Sequence, residues 1–213
     1  MSAKSAKVVD DYRLKSEERH SMTQEVQFGG GLRARMWLDQ LPQAQSPGTQ
    51  SLQERHRAEG RRAGIPRAAA IELLFIGGRT LYGLLGATFT PQQSSEVNVT
   101  VCYDAALGPE FERPLAFGRD DCRIGLLPEY APAIMAAVAL QPGVVAELGG
   151  GELRFDHAVH GRMGSSYAVF QRLTSIVLML LTAPLPLDDE AMVEMIRGRF
   201  SATPPEEAGG RLS

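Results

Sequence analysis

The side chains in this sequence that could do covalent or metal chemistry are few: four histidines, two cysteines and some adjacent carboxylates. His157 and His160 lie in Glu152–His160, a run that alternates apolar and polar residues as a strand does. Residues three apart on a strand point to opposite faces, so this pair cannot chelate one metal ion. The alternation places Leu153, Phe155, His157 and Val159 on an apolar face and leaves His160 exposed at the strand end. Ser165, His160 and Asp156 could be drawn as a nucleophilic triad. Yet no Gly-x-Ser-x-Gly turn exists, and Ser165 or Ser166 is better placed to cap a following helix. Asp120-Asp121 reads as a turn, and Asp188 as a cap with Asp189 beside it. Cys102 and Cys122 form no CxxC motif; a disulfide between them stays open, with two reduced thiols the expected state. No Gly-rich phosphate loop of the GxxxxGK[ST] kind occurs. The expectation is a non-enzymatic chain with no metal, cofactor or nucleotide.

What remains is cationic residues set in turns. Gly77-Gly78-Arg79-Thr80 separates two apolar runs, with the glycine pair expected to turn through positive φ. His160-Gly161-Arg162-Met163-Gly164 separates the late strand from the capped helix. A third group, Arg55, Arg57, Arg61 and Arg62, belongs to a stretch of five arginines that ends at Arg67. The net charge of −3 divides unevenly. Residues 1–70 hold 12 Lys and Arg against 8 Asp and Glu, whereas the remainder holds 10 against 17. An acidic main body does not suit indiscriminate phosphate binding, which needs clustered cations.

The elements that must hold these turns follow from pattern. Ile71–Ile76 and the run from Leu81 to Pro91 read as a hairpin, and Glu96–Tyr103 as a half-buried strand. Ala133, Ile134, Ala137, Val138 and Leu140 form an apolar stripe of helical spacing, with the helix starting near Pro132 and stopping at Gln141-Pro142-Gly143. Val169, Phe170, Leu173, Val177 and Leu181 mark a second helix, stopped by Pro184, and Asp188 starts a short third one. The chain divides into a polar extension (1–67), a main domain (68–186) and a short helix with a polar tail (187–213). Trp37, the only tryptophan, has to dock on the main domain or on a partner. No apolar run reaches the ~20 residues that span a bilayer, and no secretory leader precedes the chain. A cytoplasmic protein without a membrane anchor is expected.

Three segments resemble domain IV of the translational GTPases of the elongation factor G type, over about residues 71–183. They are Gly77-Gly78-Arg79 with Tyr82-Gly83 and Phe89-Thr90-Pro91; Gly125-Leu126-Leu127-Pro128-Glu129-Tyr130-Ala131-Pro132; and Ser165-Ser166 with Phe170 and Ser175. The resemblance implies an α+β fold: a four-stranded sheet with two helices on one face, built as a split β-α-β unit with a left-handed crossover. It leaves the N-terminal extension mostly irregular. It also implies that Gly77, Gly78, Arg79, Thr80, His160 and Arg162 form a tip that meets the ribosome or a structured RNA, helped by the basic arm. The GTPase part of that family is missing. A protein partner bound by the same surface is the alternative.

Overall fold

A computed structural model describes residues 22–58 and 65–184, together with positions 194, 196 and 198. The hairpin read from the sequence is present as β4 (Arg67–Ile76) and β5 (Thr80–Pro91), paired antiparallel from Ile76↔Thr80 to Arg67↔Phe89. The half-buried strand is β6 (Glu96–Tyr103) and the late strand is β8 (Gly151–Gly161). These four do not make a sheet by themselves. The polar leader supplies β1 (Met22–Gln27), β2 (Leu32–Leu38) and β3 (Gln50–Arg57), and a short β7 (Cys122–Ile124) joins as well. The sheet has eight strands in the order β1-β2-β4-β5-β8-β6-β3, with β7 also on β8, and only the β6–β8 pair is parallel.

This corrects the four-stranded, two-helix expectation and the expectation of a mostly irregular leader. The reason lies in β2 and β3. Leu32-Arg33-Ala34-Arg35-Met36 alternates, but its arginines face carboxylates across the strands and so look like surface residues in the sequence. β3 is an exposed edge strand of mostly polar residues, as edges that avoid further pairing tend to be.

Three helices follow: α1 (Ala131–Ala139), α2 (Pro142–Glu147) and α3 (Tyr167–Thr182). Pro142 does not simply end α1. It sits in the first turn of α2, where a missing N–H costs nothing. The path from β6 to its parallel neighbour β8 therefore runs through β7, α1 and α2, not through one helix. Ser166 caps α3, its hydroxyl accepting from the Val169 N–H at 3.4 Å. At the other end Arg67 donates to the Leu180 and Ala183 carbonyls and pairs with Asp39. A cation there satisfies orphan carbonyls and complements the helix dipole, so Arg67 is a helix clamp and no part of a free arm. The helix expected after Asp188 lies almost wholly outside the described residues; at Glu194, Ile196 and Gly198 the backbone is helical, and Ile196 is buried in the helix-side core.

Each sheet face buries a different kind of cover. Ile71, Leu73, Leu85, Phe89 and Phe155 meet Ile134, Phe170, Leu173 and Val177 of the helices. A fully buried side chain of this size is worth about 1.5–3 kcal/mol. Trp37, Leu74, Tyr82, Leu84 and Val159 face the other way. They are covered by irregular chain around Ala44 and by the segment Phe111–Cys122.

Glu72 points into that second face with no exposed surface. Its carboxylate accepts from the Leu115 N–H (2.7 Å) and the Tyr82 hydroxyl (2.9 Å), and pairs with Arg35 (3.2 Å). Arg35 also pairs with Glu25 and lies over Trp37. Burial pushes the Glu72 carboxyl above its ordinary value of 4.5, against the pull of the Leu115 amide, Arg35 and Tyr82. Glu72→Ala takes the acceptor from the buried Leu115 N–H and Tyr82 hydroxyl, while Arg35 keeps Glu25, and should cost about 2–4 kcal/mol in urea-unfolding stability. The native state also holds the Glu72 proton more tightly than the unfolded chain does. That advantage is complete below about pH 4.5 and is lost as pH rises through the native value. The urea midpoint of the wild type relative to Glu72→Gln should accordingly fall as pH rises from 4.5 towards neutrality.

Candidate functional site

β5 begins, and its antiparallel neighbour β8 ends, at one end of the sheet. The Gly77–Thr80 turn and the loop after Gly161 therefore project from the same rim. Gly77, Gly78 and Arg79 are exposed, while Thr80 is half-buried at the start of β5. Neither glycine has a positive φ, so the expected left-handed turn does not occur. Gly77 instead leaves room for the Phe75 ring, which would have to shift to admit a Cβ there.

The second loop is braced on three sides. Asp120 accepts from the backbone N–H groups of Met163 (2.9 Å) and Gly164 (2.7 Å). The Ser165 hydroxyl donates to the Tyr82 carbonyl (2.8 Å) and accepts from the Gly161 N–H (2.9 Å). Tyr82 donates its own N–H to Gly164 (2.9 Å). Glycine is needed at both ends of the loop, because a Cβ at 161 would overlap the Asp120 carboxylate and one at 164 would lie 2.9 Å from the Tyr82 nitrogen. This frame holds Arg162 and Met163 outward, Met163 at 80% exposure.

Beside it an open cleft of about 750 Å³ runs along Phe111–Arg123. Phe117 stands on its lip at 78% exposure, on the same cleft as Met163, Arg119 and Arg162. Asp121 pairs with Arg123 through two bonds (2.7 and 3.2 Å). The Arg119 and Arg162 guanidiniums have no hydrogen bond or ion pair among the described residues, and both are exposed. Sequence reasoning missed Phe117, Arg119, Asp120 and Met163 as functional groups. The Gly161 and Gly164 spacing hinted at a tight loop, but nothing in the sequence marks Phe117 as exposed.

His160 is not part of this surface. It is 3% exposed, its Nδ1 donating to the Gly125 carbonyl (2.9 Å), with the Tyr130 ring nearby. Both faces of β8 are covered at this end, and a β-bulge at Asp156, where His157 pairs with Gly86 but Phe155 with Ala87, decides which core His160 enters. The extra residue reverses the alternation. Ala158 joins Leu153 and Phe155 on the helix side and His160 follows it inward, whereas Val159 joins the opposite core. The triad is excluded by the same geometry. Ser165 is bound to Tyr82, His160 to Gly125, and Asp156 to His157 (2.7 Å), Arg154 (3.1 Å) and Gln45 (3.3 Å). Burial opposes the Asp156 charge, yet the hydrogen bonds from His157, Gln45 and Arg154 outweigh it and keep the carboxyl below its ordinary value.

Arg55 and Arg57 are exposed on β3, with Arg57 opposite Glu96 at the start of β6. That end of β6 lies beside the start of β8, so the two arginines sit at the far end of the sheet from Arg162. A strand the length of β8 separates the ends by roughly 30 Å. Arg55 and Arg57 thus share no cationic surface with the tip loops. Arg61 and Arg62 lie outside the described residues. Cys102 and Cys122 are free and buried; burial pushes the Cys122 thiol up to about 12. Among the described residues no cluster of His, Cys, Asp or Glu could hold a metal, and no helix is long and apolar enough to cross a membrane.

No family model, curated protein or solved structure matches this chain, so the likeness to domain IV rests on its sequence motifs alone.

Removing the Asp120 carboxylate tests the brace. Asp120→Ala should raise amide hydrogen exchange at Met163 and Gly164 by about tenfold or more, equivalent to roughly 1.4 kcal/mol of local opening. Exchange in β4 should stay unchanged.

Proposed function

We propose that this chain is a non-enzymatic binding module that grips a protein partner with the sheet end carrying the Gly77–Thr80 turn and the Gly161–Ser165 loop. One observation carries the reading: a backbone braced by Asp120, Ser165 and Tyr82 holds Met163 in solvent beside an equally exposed Phe117. Single exposed apolar side chains are ordinary, but grouped ones mark contact surfaces, and Phe117 and Met163 line one cleft. The charged groups lining the adjoining cleft are three arginines and three carboxylates, Glu110, Asp120 and Asp121. That balance does not favour a phosphate backbone. A cytoplasmic setting agrees with the two unpaired, buried thiols.

Structured RNA, the ribosome included, is the second reading. What favours it is that Arg79 and Arg162 project from neighbouring loops at one end, as the motif resemblance implies. Sedimentation with purified ribosomes and affinity recovery from native cells separate the two. A protein partner should be recovered without ribosomal RNA and be lost with the Phe117→Ala, Met163→Ala double variant. Both positions are exposed, so the fold should change by less than about 0.5 kcal/mol. Ribosome association that weakens as salt rises, and that Arg79→Ala abolishes, would instead select RNA.

A further inference from the structure

Resting on that reading, we infer that the cleft beside Phe117 takes a partner segment in which carboxylate side chains flank an apolar one. The argument comes from which charges are already committed. Asp121 is bound twice by Arg123, and Glu110 lies near the same guanidinium. Asp120 has an oxygen on each of two loop amides. Asp120 and Asp121 are thus satisfied within the chain, and exposed Glu110 acts only on the field of the already paired Arg123. Arg119 and Arg162 are not: among the described residues neither guanidinium has a bond. Each offers a planar fork of donors matched to a carboxylate.

The apolar half of the recognition is Phe117 and Met163, on the same cleft as the two arginines. An aromatic ring and a flexible thioether suit an aliphatic or aromatic anchor of variable shape. The cleft's volume lies in the range of ordinary binding pockets. It suits a short segment with one anchored side chain better than a flat protein face. Because the lining balances to zero, the contact should act at short range through paired bonds, with little long-range steering.

Panning the full-length protein against a phage-displayed library of random short peptides tests this. The expected result is enrichment of peptides with Asp or Glu on both sides of Leu, Met or Phe. A synthetic peptide of the selected consensus should lose at least about tenfold in affinity against the Arg119→Glu, Arg162→Glu double variant. It should lose a similar factor against Phe117→Ala. All three positions are exposed, and circular dichroism should show the fold retained. Peptides that depend on Phe117 and Met163 but not on the arginines, or that lack acidic residues, overturn the inference and leave the protein-binding reading standing. No enrichment, together with retention of a structured RNA hairpin by the same protein, overturns both. No enrichment and no RNA retention overturns the inference alone.

Discussion

A carboxylate with no solvent contact, clamped between strands and an irregular segment, is the constraint on which this molecule depends. Glu72 takes a guanidinium from β2, a phenol from β5 and a backbone amide from Leu115. Such a group is tolerated only when its lone pairs are occupied. Leu115 is therefore held, and with it the turn that presents Phe117, Arg119 and Asp120. Asp120 in turn holds Met163 and Gly164. A short chain of polar bonds runs from inside the sheet to the outermost loop.

The two faces of the sheet obey different physics. Helices cover one by apolar contact, where many alternative side chains would serve. The other is closed by chain without regular structure, so its backbone groups need individual partners. The bulge at Asp156 connects these regimes. It lets β8 pair with β6 before the bulge, with the chain at Gln45 beside it, and with β7 beyond. It also reverses which face each later residue takes, so His160 turns towards the helix side beside Tyr130. A polar side chain near a loop was thus made structural, and the surface role passed to Arg162 and Met163.

That division bears on function. The polar groups that resemble chemistry in the sequence, Asp156, His157, His160 and Ser165, are all engaged inside the chain. The buried His160 Nε2 has no partner among the described residues; the exposed groups of the braced rim are the Arg119 and Arg162 guanidiniums with Phe117 and Met163. Such a surface holds its shape before a partner arrives, so little ordering entropy is lost on contact.

The hairpin at Gly77–Arg79, the strand at Val97–Val101 and the Ser166-capped helix were legible from period and capping chemistry, because each depends on neighbours in sequence. Three strands in the polar leader were not, since Arg33 and Arg35 have the look of solvated residues until their carboxylates are found across the sheet. Nor was the bulge, because a single inserted residue leaves the alternation of Leu153, Phe155, His157 and Val159 undisturbed on paper. The amino-acid order by itself determined local conformation and the absence of familiar catalytic motifs. Only the tertiary structure decided which polar groups are spent internally and which face outward, because pairing between residues far apart in the chain sets that balance.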